Sequence, residues 1–282
     1  MSRVAVVTDS TADLPAALTE GLNISVVPLN VRIGGQSYED RVTITPDEFM
    51  RQLTAGEDFP STSQPSVGRF EAEFSRLGQT SDEIVSIHIS SKLSGTYDSA
   101  CMARDLIGDN PKVHVIDSGT TSMGLGLAVM HAAELARDGA TVPEIEAAVQ
   151  NMLRRTHVIF LVDTLEYLRR GGRIGRAAEV VGSILKLKPL LRIEEGIVVP
   201  HSRTRTRARA VTGMIDIVGE IPRIDAISLL YTAGCDDVED VARRLAPLAP
   251  NNHLIRAELS PVLSAHIGPK GLGVAVVAGE AV

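Results

Sequence analysis

The chain has 282 residues, 44% hydrophobic and 22% charged, with a net charge of −7, the make-up of a soluble globular protein of one or two α/β domains. Its 24 Gly and 14 Pro are too few for a fibrous or low-complexity chain, and 3% aromatics with no Trp argue against single-strand nucleic-acid binding by base stacking. Cys101 and Cys235 lie far apart and in no C-x-x-C pair, which excludes a disulfide framework and predicts a reducing compartment.

The N-terminus reaches a polar turn after a few apolar residues, too short a run for a signal peptide, and no stretch approaches transmembrane length. A cytoplasmic protein is expected. Residues 4–8 read as a strand ending in Asp9-Ser10-Thr11, good helix N-caps ahead of Leu14-Pro15. Residues 24–33 form one apolar, β-branched run that breaks at Gly34-Gly35. Thr45-Pro46-Asp47-Glu48 starts a helix, with Pro at its first position. A strand over 84–89, a polar turn over 90–96 and a helix to Ile107 follow; then come a strand over 113–116 and the turn Asp117-Ser118-Gly119-Thr120. Helices are expected over residues 122–137 and 142–154. Strand, turn and helix in repeating order imply parallel strands covered by helices.

The second half reads differently. Residues 158–162 form a strand, 164–170 a short helix and 177–185 a further helix. Strands over 190–193 and 197–199, joined by Glu194-Glu195-Gly196, read as a hairpin. Helices over 204–218 and 238–248 and strands over 227–231, 253–259 and 272–277 complete the chain. A hairpin among crossovers predicts a mixed sheet and a second domain, with the boundary near residue 155: domains 1–155 and 156–282. The core of both is aliphatic, so a cavity is expected to be lined by Leu, Val, Ile and Met.

Several chemistries have no motif. There is no G-x-x-x-x-G-K-[ST], H-E-x-x-H or G-x-S-x-G, and no two His stand at metal-ligand spacing. Gly124-Leu125-Gly126 begins a dinucleotide-like pattern that Val129 interrupts. Hydroxyl-rich turns at strand C-termini stand out instead: Asp9-Ser10-Thr11, Ser90-Ser91, Ser94-Gly95-Thr96 and Asp117-Ser118. In an open parallel sheet such turns gather along one edge, where ligands bind and helix N-termini suit an anion. Taken singly, each hydroxyl reads more simply as the cap of its own helix. Ser61-Thr62-Ser63-Gln64-Pro65-Ser66 crowds four hydroxyls and an amide into one turn, again a binding loop or a capped one. His88 lies in an apolar strand and reads as a core residue, whereas His266, ahead of Gly268-Pro269-Lys270-Gly271, is placed on a turn near the last strand. Between residues 169 and 209, eleven Lys and Arg face three Glu. This basic island on an acidic chain is either a solvated, locally paired helix face or a docking surface for an acidic or anionic partner.

Five stretches together resemble the DegV family: residues 8–15, Thr62-Ser63-Gln64-Pro65-Ser66, residues 91–97, residues 163–174 with Arg170-Gly171-Gly172-Arg173, and His266-Ile267-Gly268-Pro269. They occur in family order and span nearly the whole chain. The resemblance implies an N-terminal three-layer α/β/α domain with a parallel sheet and a C-terminal two-layer α/β domain with a mixed sheet. It also implies a long-chain fatty acid held in a tunnel between the domains, with no other cofactor. Members of the family serve as the fatty-acid-binding subunit of bacterial fatty acid kinase, without catalytic activity alone. A separate, ATP-dependent kinase subunit converts the bound carboxylate to acyl phosphate. Carried over motif by motif, the carboxylate contacts fall on Thr62, Ser94, Gly95 and His266, and the kinase- or phosphate-facing residues on Arg173 and Arg205. Neither nucleic acid nor a transmembrane segment enters this picture, and membrane contact would be at most transient.

The resemblance departs at Lys270, where the family usually has Gly; a positive φ there would strain a Lys and reshape the loop behind His266. The competing classes are a stand-alone phosphoryl- or acyl-transfer enzyme built on the Ser/Thr-rich turns, against which the missing motifs count, and a nucleic-acid or regulatory protein acting through the basic island.

Overall fold

A computed structural model describes residues 3–56, 59–180 and 188–280. The first half runs β1 (Val4–Asp9), α1 (Ala16–Gly21), β2 (Ile24–Val27), β3 (Asn30–Ile33), β4 (Gln36–Glu39), α2 (Pro46–Ala55), β5 (Ser61–Ser63), α3 (Val67–Gly78), β6 (Glu83–His88), α4 (Thr96–Ile107), β7 (Lys112–Asp117), α5 (Met123–Arg137) and α6 (Val142–Arg154). The second runs β8 (Thr156–Leu161), α7 (Glu166–Arg170), β9 (Lys188–Glu194), β10 (Ile197–Thr204), α8 (Arg207–Gly219), β11 (Ile224–Tyr231), α9 (Val238–Leu245), β12 (Ile255–Glu258), α10 (Pro261–Ile267) and β13 (Leu272–Ala278).

Four strands in the order β2-β1-β6-β7 form an all-parallel sheet. The second half supplies a six-stranded mixed sheet, β10-β9-β8-β13-β11-β12, in which only β11 and β12 run parallel. Phe70 and Phe74 of α3 and Ala100 and Ala103 of α4 cover one face of the parallel sheet. On its other face lies α5, with α6 packed against it; α5 also contacts the mixed sheet, whose Val158, Phe160, Leu230 and Ala275 join the same core. Lying between two sheets, α5 is buried from Met123 to Val129 without interruption, as expected of a helix that is apolar on every side. A Cβ on Gly126 would strike the Ala12 carbonyl oxygen at 2.6 Å, so the Gly-Leu-Gly run serves close helix packing. The far face of the mixed sheet carries α8 and α9: alternate residues of β13 divide between the two sides, with Val274 and Val276 towards these helices.

The apolar run over 24–33 is two strands in two sheets. Pro28 offers no N–H to a ladder, and Leu29 gives its N–H to Ser10 Oγ at 3.0 Å, so the run ends in the parallel sheet at Val27. Its second part, β3, joins β4 and β5 in a small antiparallel sheet that carries Thr62. Behind the hydroxyl-rich turn, Ser66 Oγ accepts from Arg69 N–H and starts α3, a helix the periodicity reading missed. His266 sits in the last turn of α10 rather than on a turn, because Ser260 caps a helix that begins at Pro261. Of the helix expected over 177–185, Gly175–Val180 is a 3-10 turn and residues 181–185 lie outside the described residues. Among the described residues no helix is long and apolar enough to cross a membrane.

Candidate functional site

The strand order of the parallel sheet puts its topological switch point between β1 and β6, whose chains leave in opposite directions and open a crevice at their C-terminal ends. Thr11 follows β1, and Ile89, Leu93 and Ser94 follow β6; all four line one cavity. The mixed sheet closes it with Val158, Phe160, Val198, Leu230 and Leu272, and α10 with Val262, Leu263, His266 and Ile267. The space between its walls, with the open solvent at its mouth included, is about 860 Å³. Its apolar lining is aliphatic apart from Phe160 and, against the expectation from composition, includes no Met; Thr11, Thr121 and Ser122 add hydroxyls to it.

Polar groups gather where β5, the turn after β6 and α10 meet. Thr62 Oγ1 and His266 Nε2 are 2.8 Å apart, and Ser94 Oγ lies 2.9 Å from Thr96 Oγ1. Burial, reinforced by the Arg173 guanidinium, pushes the His266 pKa from 6.5 down to about 4, so the ring is neutral at physiological pH. The Nδ1 atom of His266 is buried with no partner. Gly171 accounts for that: a Cβ there would collide with the imidazole, so the Arg-Gly-Gly-Arg turn lies directly against the ring. An unpartnered lone pair is easier to bury than an unpartnered N–H, which favours the tautomer with the proton on Nε2. Nε2–H then donates to Thr62, and the Thr62 hydroxyl proton is free for a ligand.

Thr62, Ser94, His266 and Arg173 therefore share one cavity, with Ser63 and Gln64 beside them. Gly95 borders the adjoining open groove and touches the site through Gln64: a Cβ on it would lie 3.0 Å from Gln64 Nε2. Arg173 turns inward, its Nε donating to the Leu93 carbonyl and its Nη1 to that of Gly171, each at 2.9 Å. It thus fixes the backbone beside Ser94. Arg205 is exposed and lies outside the cavity lining. Much of the basic island is paired: Arg169 and Arg170 with Glu166, Arg176 and Arg192 with Glu194, Lys188 with Asp163 and Arg207 with Asp237. Lys270 does adopt a positive φ, 62°, with Arg207 Nη1 donating to its carbonyl at 2.7 Å.

One further constellation has the outline of a hydrolase triad. Ser86 Oγ lies 2.7 Å from His88 Nε2, and His88 Nδ1 lies 3.0 Å from Asp9 Oδ2. All three are fully buried, with Phe70 edge-on to the imidazole at 5.0 Å. No substrate reaches the hydroxyl, and Asp9 is further occupied by Ile89 N–H and Thr11 N–H, each at 3.0 Å. The network ties β1 to β6 at the base of the site.

The family model described as "Uncharacterised protein, DegV family" matches residues 3–279. The chain belongs to the DegV family. A DegV domain-containing protein of Deinococcus radiodurans is 36% identical over 276 residues, 97% of this chain and 98% of that one. The fold is shared with a DegV family protein of Thermus thermophilus whose structure is described as showing fatty acid binding, at 35% identity and a TM-score of 0.91 over 98% of this chain and 100% of that one. It is shared as well with DegV of Bacillus subtilis, described as a fatty acid binding protein, at 27% identity and a TM-score of 0.90 over 99% and 100% of the two chains.

Two residues beside the polar corner of the cavity escaped the residue-by-residue reading. Gln64 was legible only as part of a hydroxyl-rich turn, and Gly171 only as a break after a short helix. No local pattern reports that one lies against Gly95 and the other against His266.

Proposed function

We propose that this protein binds a long-chain fatty acid in the inter-sheet cavity and presents its carboxylate to a separate, ATP-dependent kinase subunit for conversion to acyl phosphate, itself supplying no catalytic group. The observation that carries the reading is a mostly apolar cavity whose wall brings together Thr62 and neutral His266, 2.8 Å apart, with Ser94 and Arg173 lining the same space. The two DegV neighbours described as fatty-acid binders support the choice of ligand.

The division of labour follows from magnitudes. Each buried methylene contributes roughly 0.8 kcal/mol, so the tail supplies affinity and favours long chains. Each hydroxyl donated to the carboxylate contributes roughly 1.5–3 kcal/mol before desolvation, enough to fix where the head group rests. A neutral His266 orients Thr62 without forming an ion pair, so the carboxylate keeps its charge and nucleophilicity. The Gly95 backbone amide would add to the head-group contacts, as the family resemblance implies. Arg173 Nη2, at the cavity wall, and the exposed Arg205 would meet the partner or the transferred phosphate, as planar guanidinium groups suited to bidentate contacts.

Organic extraction of the purified protein followed by mass spectrometry tests the binding. A stoichiometric C14–C20 acid is expected, and a protein that neither carries nor takes up palmitate contradicts the reading. Acyl-phosphate formation from palmitate and ATP, dependent on both this chain and a cognate kinase subunit, tests the presentation.

A further inference from the structure

The second structural feature around α10 is a set of charged groups at the end opposite to His266. Asp13, held at φ 52°, is fully buried; its Oδ1 accepts the Ser260 N–H at 2.8 Å and its Oδ2 the Ser122 hydroxyl at 2.6 Å. Asp40 is buried as well, and its Oδ1 accepts the Val262 N–H at 3.3 Å. Arg41, also at positive φ, lies 3.6 Å from Asp13 Oδ1 and donates from Nη2 to the Glu258 carbonyl. Three side chains of the first half therefore hold three consecutive alternate backbone positions, 258, 260 and 262, at the entrance to α10. The grip is directional, because each side chain meets a group with a fixed orientation. Burying two carboxylates is costly, and α10 could have been capped by Ser260 alone, whose Oγ already accepts from Leu263 N–H at 3.3 Å. The hold therefore does more than terminate a helix. Val262, Leu263, His266 and Ile267 all face the cavity from this one seven-residue segment, so a tilt at Ser260 moves the imidazole at its far end.

We propose that Asp13, Asp40 and Arg41 are positioning residues of the head-group site: they set the angle of α10 and, through it, the placement of His266 against Thr62. This rests on the fatty-acid reading of the cavity. Burial raises the Asp13 pKa from 3.8 to about 7, against the lowering influence of Arg41, Ser122 and Ser260.

A double-mutant cycle on the dissociation of bound palmitate tests this. Asp13→Asn, Arg41→Gln, His266→Ala and the two pairs with His266→Ala are compared, with thermal midpoints measured on each. His266→Ala is expected to speed release. Asp13→Asn and Arg41→Gln should each accelerate release about tenfold when His266 is present, equivalent to about 1.4 kcal/mol, and less than about twofold when it is absent. Their effect on the thermal midpoint should be the same in both backgrounds. Arg41→Gln changes a partly exposed side chain outside the cavity and keeps the cycle readable should Asp13→Asn fail to fold. Equal acceleration in both backgrounds overturns the positioning role while leaving the site intact. No change in release on His266→Ala overturns the head-group site, and the positioning role with it.

Discussion

The two ends of α10 solve opposite problems. At its C-terminal end the imidazole of His266 is neutral, contacts one hydroxyl and leaves Nδ1 without a partner. At its N-terminal end Asp13 has both oxygens engaged by Ser122 and Ser260, with Arg41 alongside. The imidazole that faces the cavity is left short of a partner, whereas both oxygens of Asp13 are satisfied internally; beside it Asp40 engages Val262 through Oδ1 and keeps Oδ2 unpartnered. The contrast separates what binds from what positions, although both regions are polar, buried and built from the same motif-rich segments.

Breaking the binding end should have the largest effect. Thr62→Val with Ser94→Ala removes two hydroxyls from the head-group corner, each worth roughly 1.5–3 kcal/mol. Retained palmitate should fall at least tenfold, with a thermal midpoint close to that of the unsubstituted chain; unchanged occupancy would remove both residues from the site. Gly171→Val should act nearly as strongly, since any Cβ there collides with the His266 ring. Its expected signature is loss of palmitate binding in a protein whose far-ultraviolet circular dichroism is preserved.

The comparison sharpens under pH. Asp13 is raised from 3.8 to about 7 by burial, so its contribution to stability is present below 3.8 and lost as pH rises through 7. His266 is lowered from 6.5 to about 4, so its contribution is present above 6.5 and lost as pH falls through 4. Between about pH 4 and 6.5 the two ends oppose each other. Urea denaturation across this window should show Asp13→Asn gaining on the unsubstituted protein as pH rises, and His266→Gln gaining as pH falls. Parallel slopes would mean that one of the two protonation states is misassigned. Asp40, itself raised by burial, and Arg41 face Asp13 directly, so the Asp13→Asn profile is best read beside Arg41→Gln.

The smallest change in binding is expected from Arg205→Ala. Exposed and outside the cavity lining, it should leave palmitate content within error and lower only acyl-phosphate formation with a cognate kinase, an effect that added salt reproduces in the unsubstituted pair. Reduced palmitate content would assign it to the ligand site instead.

Period and punctuation made most strands and long helices readable in the sequence, and so the alternation of a parallel and a mixed sheet. The run over 24–33 misled because hydropathy does not distinguish two strands from one; the missing N–H of Pro28 does. α10 was hidden because seven residues between a Ser-Pro and a Gly carry too little periodicity to separate a helix from a turn. The site was legible only as motifs. Thr62 and His266 are 204 residues apart and Asp13 and Ser260 are 247 apart, so neither contact has a local pattern to betray it. Arg173 was legible as part of a charged island and, by resemblance, as kinase- or phosphate-facing; sequence does not show that two carbonyls occupy its guanidinium.

The central claim is that a fatty-acid carboxylate rests on Thr62, Ser94 and His266. Carbon-13 NMR of palmitate labelled at C1 and bound to the protein reads that contact directly. A single bound carboxyl resonance is expected, distinct from free palmitate, displaced by Thr62→Val and by Ser94→Ala and unmoved by Arg205→Ala. A bound resonance indifferent to Thr62, Ser94 and His266 substitutions would place the head group elsewhere and contradict the account.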